Sequence, residues 1–199
     1  TISRLQYRIW RPENTSKGII GTGNAVFPIL TYADYSLLKA ELAARNLIPG
    51  NAKDLYEQGI RASIETYNYI AKEALVDDYK VTNDADIIAY LNDPQIKFNP
   101  SLALEQIIIQ EYLNYFKQPN EVWALIKRTG LPNVSTALKL ENPFSEAGVF
   151  LIMLRRIATP SKDNLNYQNQ KDALDQMKQD PEFGSSESDI QGRIWWDKK

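Results

Sequence analysis

Two helix starts placed close together constrain this chain most. Thr31-Tyr32-Ala33-Asp34 puts a capping hydroxyl three residues before an acid, and Asn51-Ala52-Lys53-Asp54 repeats the device after Pro49-Gly50. Thr31 opens a helix with Tyr35, Leu38 and Leu42 on one face, ending near Asn46. Asn51 opens a second, along which Ile60, Ile64, Tyr67, Ala71 and Leu75 form a stripe at helical spacing. Two helices joined by a loop of about four residues must pack antiparallel.

The same signals recur downstream. A short helix is predicted from Asp84 to Leu91, stopped by Asn92-Asp93-Pro94. Asn99-Pro100 then caps and starts a long one whose face carries Leu104, Ile108, Tyr112 and Tyr115. Pro119 starts another, with Glu121 in the first turn, Lys127 and Arg128 in the last, and Gly130 and Pro132 as the stop. Acid first and base last suits the helix dipole. Val149 to Leu154 reads as an extended apolar run, Asn164 to Lys178 as a last helix, and Trp195-Trp196 as a tail docked on the body. The fold class is all-α: tetratricopeptide-like helix pairs with long irregular loops and little β structure. Residues 1–30 lack helical periodicity and read as an extended or loop segment, and residues 31–199 as the helical region. Their Gly18, Gly21 and Gly23 lack the strand and helix start that a phosphate cradle needs.

The 199 residues, 43% of them hydrophobic, suffice for a core in one large domain or two small ones. The 23 basic and 25 acidic side chains nearly cancel and are spread along the chain, which argues against nucleic acid as a partner. With no cysteine and no histidine, disulfides, thiolate metal sites, thiol nucleophiles and imidazole bases are excluded. No metal or cofactor is expected. The chain begins at Thr1 without a signal peptide, which reads as a fragment or a processed chain.

Carboxylate pairs are then the only acid-base machinery. Asp77-Asp78, Asp84 with Asp86, and Glu187 with Asp189 all lie in or beside polar loops and read as solvated surface. Asn83-Asp84-Ala85-Asp86 and Asp163-Asn164-Leu165-Asn166 read as helix caps in preference to calcium loops. Among the eleven tyrosines and four tryptophans, Tyr35, Tyr67, Tyr112, Tyr115 and Trp123 fall on apolar helix faces and read as packing residues. Tyr7 and Trp10 stand outside that periodicity and are the candidate contact residues for a ligand. No catalytic residue is expected.

A set of phrases in fixed order adds specificity. It comprises Thr31-Tyr32-Ala33-Asp34, Lys39-Ala40-Glu41, Leu55-Tyr56-Glu57-Gln58-Gly59-Ile60-Arg61-Ala62-Ser63 and Ile107-Ile108-Ile109-Gln110. Asn120-Glu121-Val122-Trp123-Ala124, Lys127-Arg128-Thr129-Gly130-Leu131-Pro132, Arg155-Arg156-Ile157-Ala158-Thr159-Pro160 and Trp195-Trp196-Asp197 complete it. From about Phe27 to Lys199 the chain resembles the C-terminal half of the SusD/RagB family, in its SusD-like branch. The aromatic-Pro common in that family after the double arginine is replaced here by Ala158-Thr159.

The resemblance implies a non-enzymatic lipoprotein on the outer face of the outer membrane of a Bacteroidetes-type bacterium. It would capture a glycan or other nutrient and pass it to a SusC-like TonB-dependent transporter. It also implies that the signal peptide and lipid anchor belong to an N-terminal half outside this chain, and that this half is a packing partner. Arg155 and Arg156 are expected to hold the scaffold by bonding carbonyls or a carboxylate such as Asp197. The alternative reading is a helical-repeat scaffold that binds another protein and no small molecule.

Overall fold

The computed structural model describes residues 9–10, 23–76, 79–140, 155–157, 167–184, 186 and 189–193. Tyr7, Asp77-Asp78, the Val149–Leu154 run, the Asp163–Asn166 cap, Glu187 and Trp195-Trp196 lie outside them. Every α-helix or 3-10 turn below is drawn from the described residues, which contain no strand. The helices are α1 (Tyr32–Ala44), α2 (Ala52–Glu73), α3 (Asp84–Asn92), α4 (Ala103–Asn114), α5 (Pro119–Thr129) and α6 (Tyr167–Met177).

Local chemistry sets these boundaries. At α1, the Thr31 hydroxyl accepts the Asp34 N–H at 3.2 Å and the Asp34 carboxylate accepts the Thr31 N–H at 2.5 Å, a complete capping box. The far end closes as a Schellman turn: Asn46 adopts φ 57°, its N–H reaches Ala43 O, and the Leu47 N–H reaches Leu42 O. Asparagine tolerates that left-handed backbone. Asn83 and Asp86 form a second capping box at α3, while the adjacent Asp84 pairs with Arg61 at 2.5 Å. No ion is needed to explain that acidic phrase.

α2 ends with the same Schellman geometry, but there the left-handed position at φ 48° is Leu75. The sequence stripe had placed Leu75 inside the helix; it lies beyond it and is exposed. Pro100 begins a single 3-10 turn (Pro100–Leu102) that leads into α4, and another (Tyr115–Lys117) follows α4. Pro is accommodated because the first turn of a helix has no N–H partner to lose.

The chain divides into two compact units, Thr1–Ile126 with Leu131–Lys139, and Lys127–Gly130 with Leu140–Lys199. In the first, α1 packs along α2 and α4 crosses them, around a core of Leu37, Ala40, Tyr56, Ile60 and Ile107. α1 turns inward a face the periodicity did not select. Ala33, Ser36, Leu37, Ala40 and Ala43 are buried, whereas Tyr35 is 52% exposed and Leu38 lies on the same outer side. The reason is steric. A Cβ on Gly59 of α2 would stand 2.6 Å from Leu37 Cγ, so Leu37 packs directly on the α2 backbone, with small side chains filling the rest of the inner face of α1.

In the second unit Arg156 is buried and does what a scaffold arginine should. Its guanidinium donates to Asp189 O at 2.7 Å and Ser186 O at 2.9 Å and lies 3.9 Å from the Phe183 ring centroid. Trp123, expected to pack, is exposed on α5.

Candidate functional site

Where α4 gives way to its 3-10 turn, the tighter winding swings Lys117 inward, leaving the side chain 4% exposed. Its ammonium donates to Ile9 O and, at 2.6 Å, to Val26 O. It also lies 4.3 Å from the Phe27 ring centroid and 5.3 Å from that of Trp10. Both are cation-π distances. Burial pulls the Lys117 pKa below its ordinary value.

Beside this cation four aromatic rings meet edge to face in sequence. Trp10 lies 6.2 Å from Phe27 and 5.9 Å from Phe116, and Phe116 lies 6.4 Å from Tyr67. Phe27 is 54% exposed and Phe116 44%. Together with the half-buried Trp10 they present a surface ridge with a firm base. The Trp10 indole N–H is shielded from solvent and has no acceptor among the described residues. Tyr67 anchors the base: its hydroxyl donates to Asn114 O at 2.9 Å, and burial pushes its pKa up to about 12. Asn114 in turn donates from its amide to the buried Asp34 carboxylate. Gln118 donates to Pro28 O at 2.8 Å and fixes the chain just beyond Phe27.

A second concavity of about 470 Å³ opens beside α4. Its floor is Tyr56, Ile109 and Gln110; one wall is the turn at residues 94–99 and the other residues 137–139. Two adjacent α4 side chains set its width. Gln106 accepts the Asn99 N–H at 2.8 Å and donates to Lys97 O at 3.0 Å, and Glu105 accepts the Ala137 N–H at 2.8 Å. Tyr56 donates to Ile96 O at 2.8 Å, and burial raises its pKa. Its volume lies within the range of small-molecule sites, and its lining mixes Leu102, Leu113 and Leu138 with Gln95, Asn99 and Lys139.

Among the described residues no group of three acids is positioned to hold a metal. The acids that touch these sites, Asp34 and Glu105, are occupied with backbone and amide donors. What the aromatic ridge offers is the exposed Phe27 and Phe116 beside the half-buried Trp10.

Of the two sequence candidates, Trp10 is one third of this ridge and Tyr7 lies outside the described residues. Phe27, Phe116 and Lys117 were missed. The Tyr115-Phe116-Lys117 phrase at a helix end was the trace of the last two, and it does not reveal which way the next turn winds.

A family model named SusD-like, described as starch-binding and associating with the outer membrane, matches residues 7–147, a span that includes the whole ridge. Several solved structures are similar. One is a SusD homologue from Bacteroides fragilis NCTC 9343, at 27% identity and TM-score 0.64, covering 87% of this chain and 35% of that one. A SusD-like protein of the Bacteroidetes matches at 27% identity and TM-score 0.60, covering 85% and 30%. A chitin-binding protein matches at 26% identity and TM-score 0.55, covering 84% and 33%. The chain thus spans about a third of the length of these structures. No curated protein matches it.

Proposed function

We propose, from the premise that the chain belongs to the SusD-like family, that it is part of a protein that captures a glycan at the outer-membrane surface and leaves its bonds intact. The chain's share is a helical scaffold carrying one aromatic contact ridge. The observation that carries this reading is the ridge itself: Phe27 and Phe116 are exposed beside the half-buried Trp10 within the segment matched by a family described as starch-binding. Sugar rings present C–H faces that stack on such surfaces, while their hydroxyls need the polar groups at the edge. The chitin-binding neighbour supports the same ligand class.

In this reading the captured glycan passes to a SusC-like TonB-dependent transporter. The protein is held at the cell surface of a Bacteroidetes-type bacterium by a lipid anchor outside these residues. A further N-terminal portion packs against the chain, and Tyr7 joins Trp10 at the ligand.

Calorimetric titration with starch-type and chitin-type oligosaccharides, paired with mass spectrometry of the mixture, tests the proposal. Saturable binding with the oligosaccharide recovered unchanged is the expected result, and Trp10→Ala should weaken it about tenfold, the loss of roughly 1.4 kcal/mol of ring contact. Shortened oligosaccharide would overturn it.

One observation favours a second reading, a scaffold for another protein: α1 exposes Tyr32, Tyr35 and Leu38 along one face. Tight association with a transporter, with no oligosaccharide bound, would decide for that reading.

A further inference from the structure

We infer that Lys117 is a positioning residue whose ammonium, and not merely its hydrocarbon stem, assembles the aromatic ridge. The cage around it is in effect a built-in site for a primary alkylammonium ion. The inference does not depend on which ligand, if any, the ridge contacts.

A lysine ammonium in water keeps three hydrated donors, and removing it from solvent costs several kcal/mol unless those donors are met. Here the side chain is buried, and among the described residues no carboxylate pairs with it. Its partners are two backbone carbonyls and two ring faces. Those partners have one further property. Ile9 lies 108 residues from Lys117 along the chain and Val26 lies 91, and each carbonyl immediately precedes one of the two rings flanking the cation. One charge therefore fixes the backbone at Ile9–Trp10 and at Val26–Phe27 and holds Trp10 against both Phe27 and Phe116, the residue next to its own. Hydrophobic contact alone is non-directional and would leave ring orientation open. A three-pronged donor that must find its carbonyls does not. The lowered pKa agrees with an ammonium taken out of water and held by neutral acceptors.

A purely apolar role would survive replacement of the charge by a methyl thioether of similar length; a cation site would not. The test uses the whole chain labelled with 5-fluorotryptophan and read by fluorine NMR, with the Trp10 signal assigned by Trp10→Phe. Lys117→Met is expected to shift and broaden the Trp10 signal while leaving that of Trp123 in place. It should also raise the trypsin cleavage rate at the Arg8–Ile9 bond by about tenfold, with the helical circular-dichroism signal unchanged. Lys117→Ala should behave likewise, and millimolar n-butylammonium should return its Trp10 signal toward the native position. The same salt should have no effect on Lys117→Met, whose side chain fills the channel.

A native Trp10 signal in Lys117→Met would overturn the inference, because the stem would then suffice. Failure of n-butylammonium to act on Lys117→Ala would overturn the cation site. Global loss of helicity in Lys117→Met would do the same to the positioning role, since a peg for one segment should leave α1 to α4 folded.

Discussion

At position 59 an added methyl group would stand 2.6 Å from Cγ and 2.7 Å from Cδ2 of Leu37, a side chain with no exposed surface of its own. Gly59→Ala should therefore cost up to about 2 kcal/mol: overpacking of about 1–3 kcal/mol is offset by roughly 1 kcal/mol of improved helix propensity. The shift in urea midpoint at unchanged slope measures it. Leu75 is the opposite case, a large residue at φ 48° where glycine fits without strain. Leu75→Gly should be neutral or stabilising by up to about 1 kcal/mol, since the exposed side chain has little packing to lose. Tyr67 supplies a pH dependence. Its hydroxyl stays protonated to about 12 in the folded chain but ionises near 10 when unfolded, so its contribution is intact below pH 10 and is lost as pH rises toward 12. Tyr67→Phe should flatten the fall in stability across that window in denaturation curves taken at stepped pH.

Helix ends and helix faces differed sharply in how far they could be read from sequence. The start of α1 and the caps of α2 and α3 follow from short-range chemistry, in which a side chain bonds a backbone group two or three residues away, and the bounds of α5 follow from Pro119 and Gly130. Thr31→Ala should consequently cost about 1 kcal/mol, measured by thermal or urea unfolding. Faces are set by what lies opposite. For α1 the aliphatic and aromatic stripe Tyr35–Leu38–Leu42 was the natural choice by hydrophobicity, yet Ala33, Ser36, Leu37, Ala40 and Ala43 turned inward, with Leu37 seated in the space that Gly59 leaves on α2. That closeness is a property of the pair and is written in neither helix alone. The Glu105–Gln106 step in α4 is illegible for a related reason. Gln106 holds the 95–99 turn through three backbone groups, and backbone groups are the same in every sequence. Gln106→Leu should cost about 2 kcal/mol by leaving the Asn99 N–H and the Gln95 and Lys97 carbonyls without this partner. Amide exchange at Asn99 should quicken correspondingly.

At the scale of the whole molecule, the family and the all-α class were legible because ordered phrases spread over most of the chain carry them, while the ridge was not. It draws on residues 10, 27 and 116, joined by an ammonium to carbonyls that carry no side-chain identity. Trp10 was found only because it fell outside helical spacing; Phe27 and Phe116 had no such mark. A ridge assembled over such sequence separations should be among the last features to form when the chain folds. In stopped-flow refolding, the Trp10 fluorine or fluorescence signal is expected to lag the far-ultraviolet helical signal, and simultaneous recovery would contradict that order.

Because the small-residue side of α1 carries the helix pairing, the opposite side is open to redesign. Tyr32, Tyr35 and Leu38 sit in water and meet neither α2's Gly59 nor the Leu37 cluster. Exchanging them for glutamine or lysine should leave the melting temperature within a degree or two while raising the concentration at which the chain stays monomeric in light scattering. α1 thus offers a handle for preparing a well-behaved reagent, with the structural half of the helix untouched.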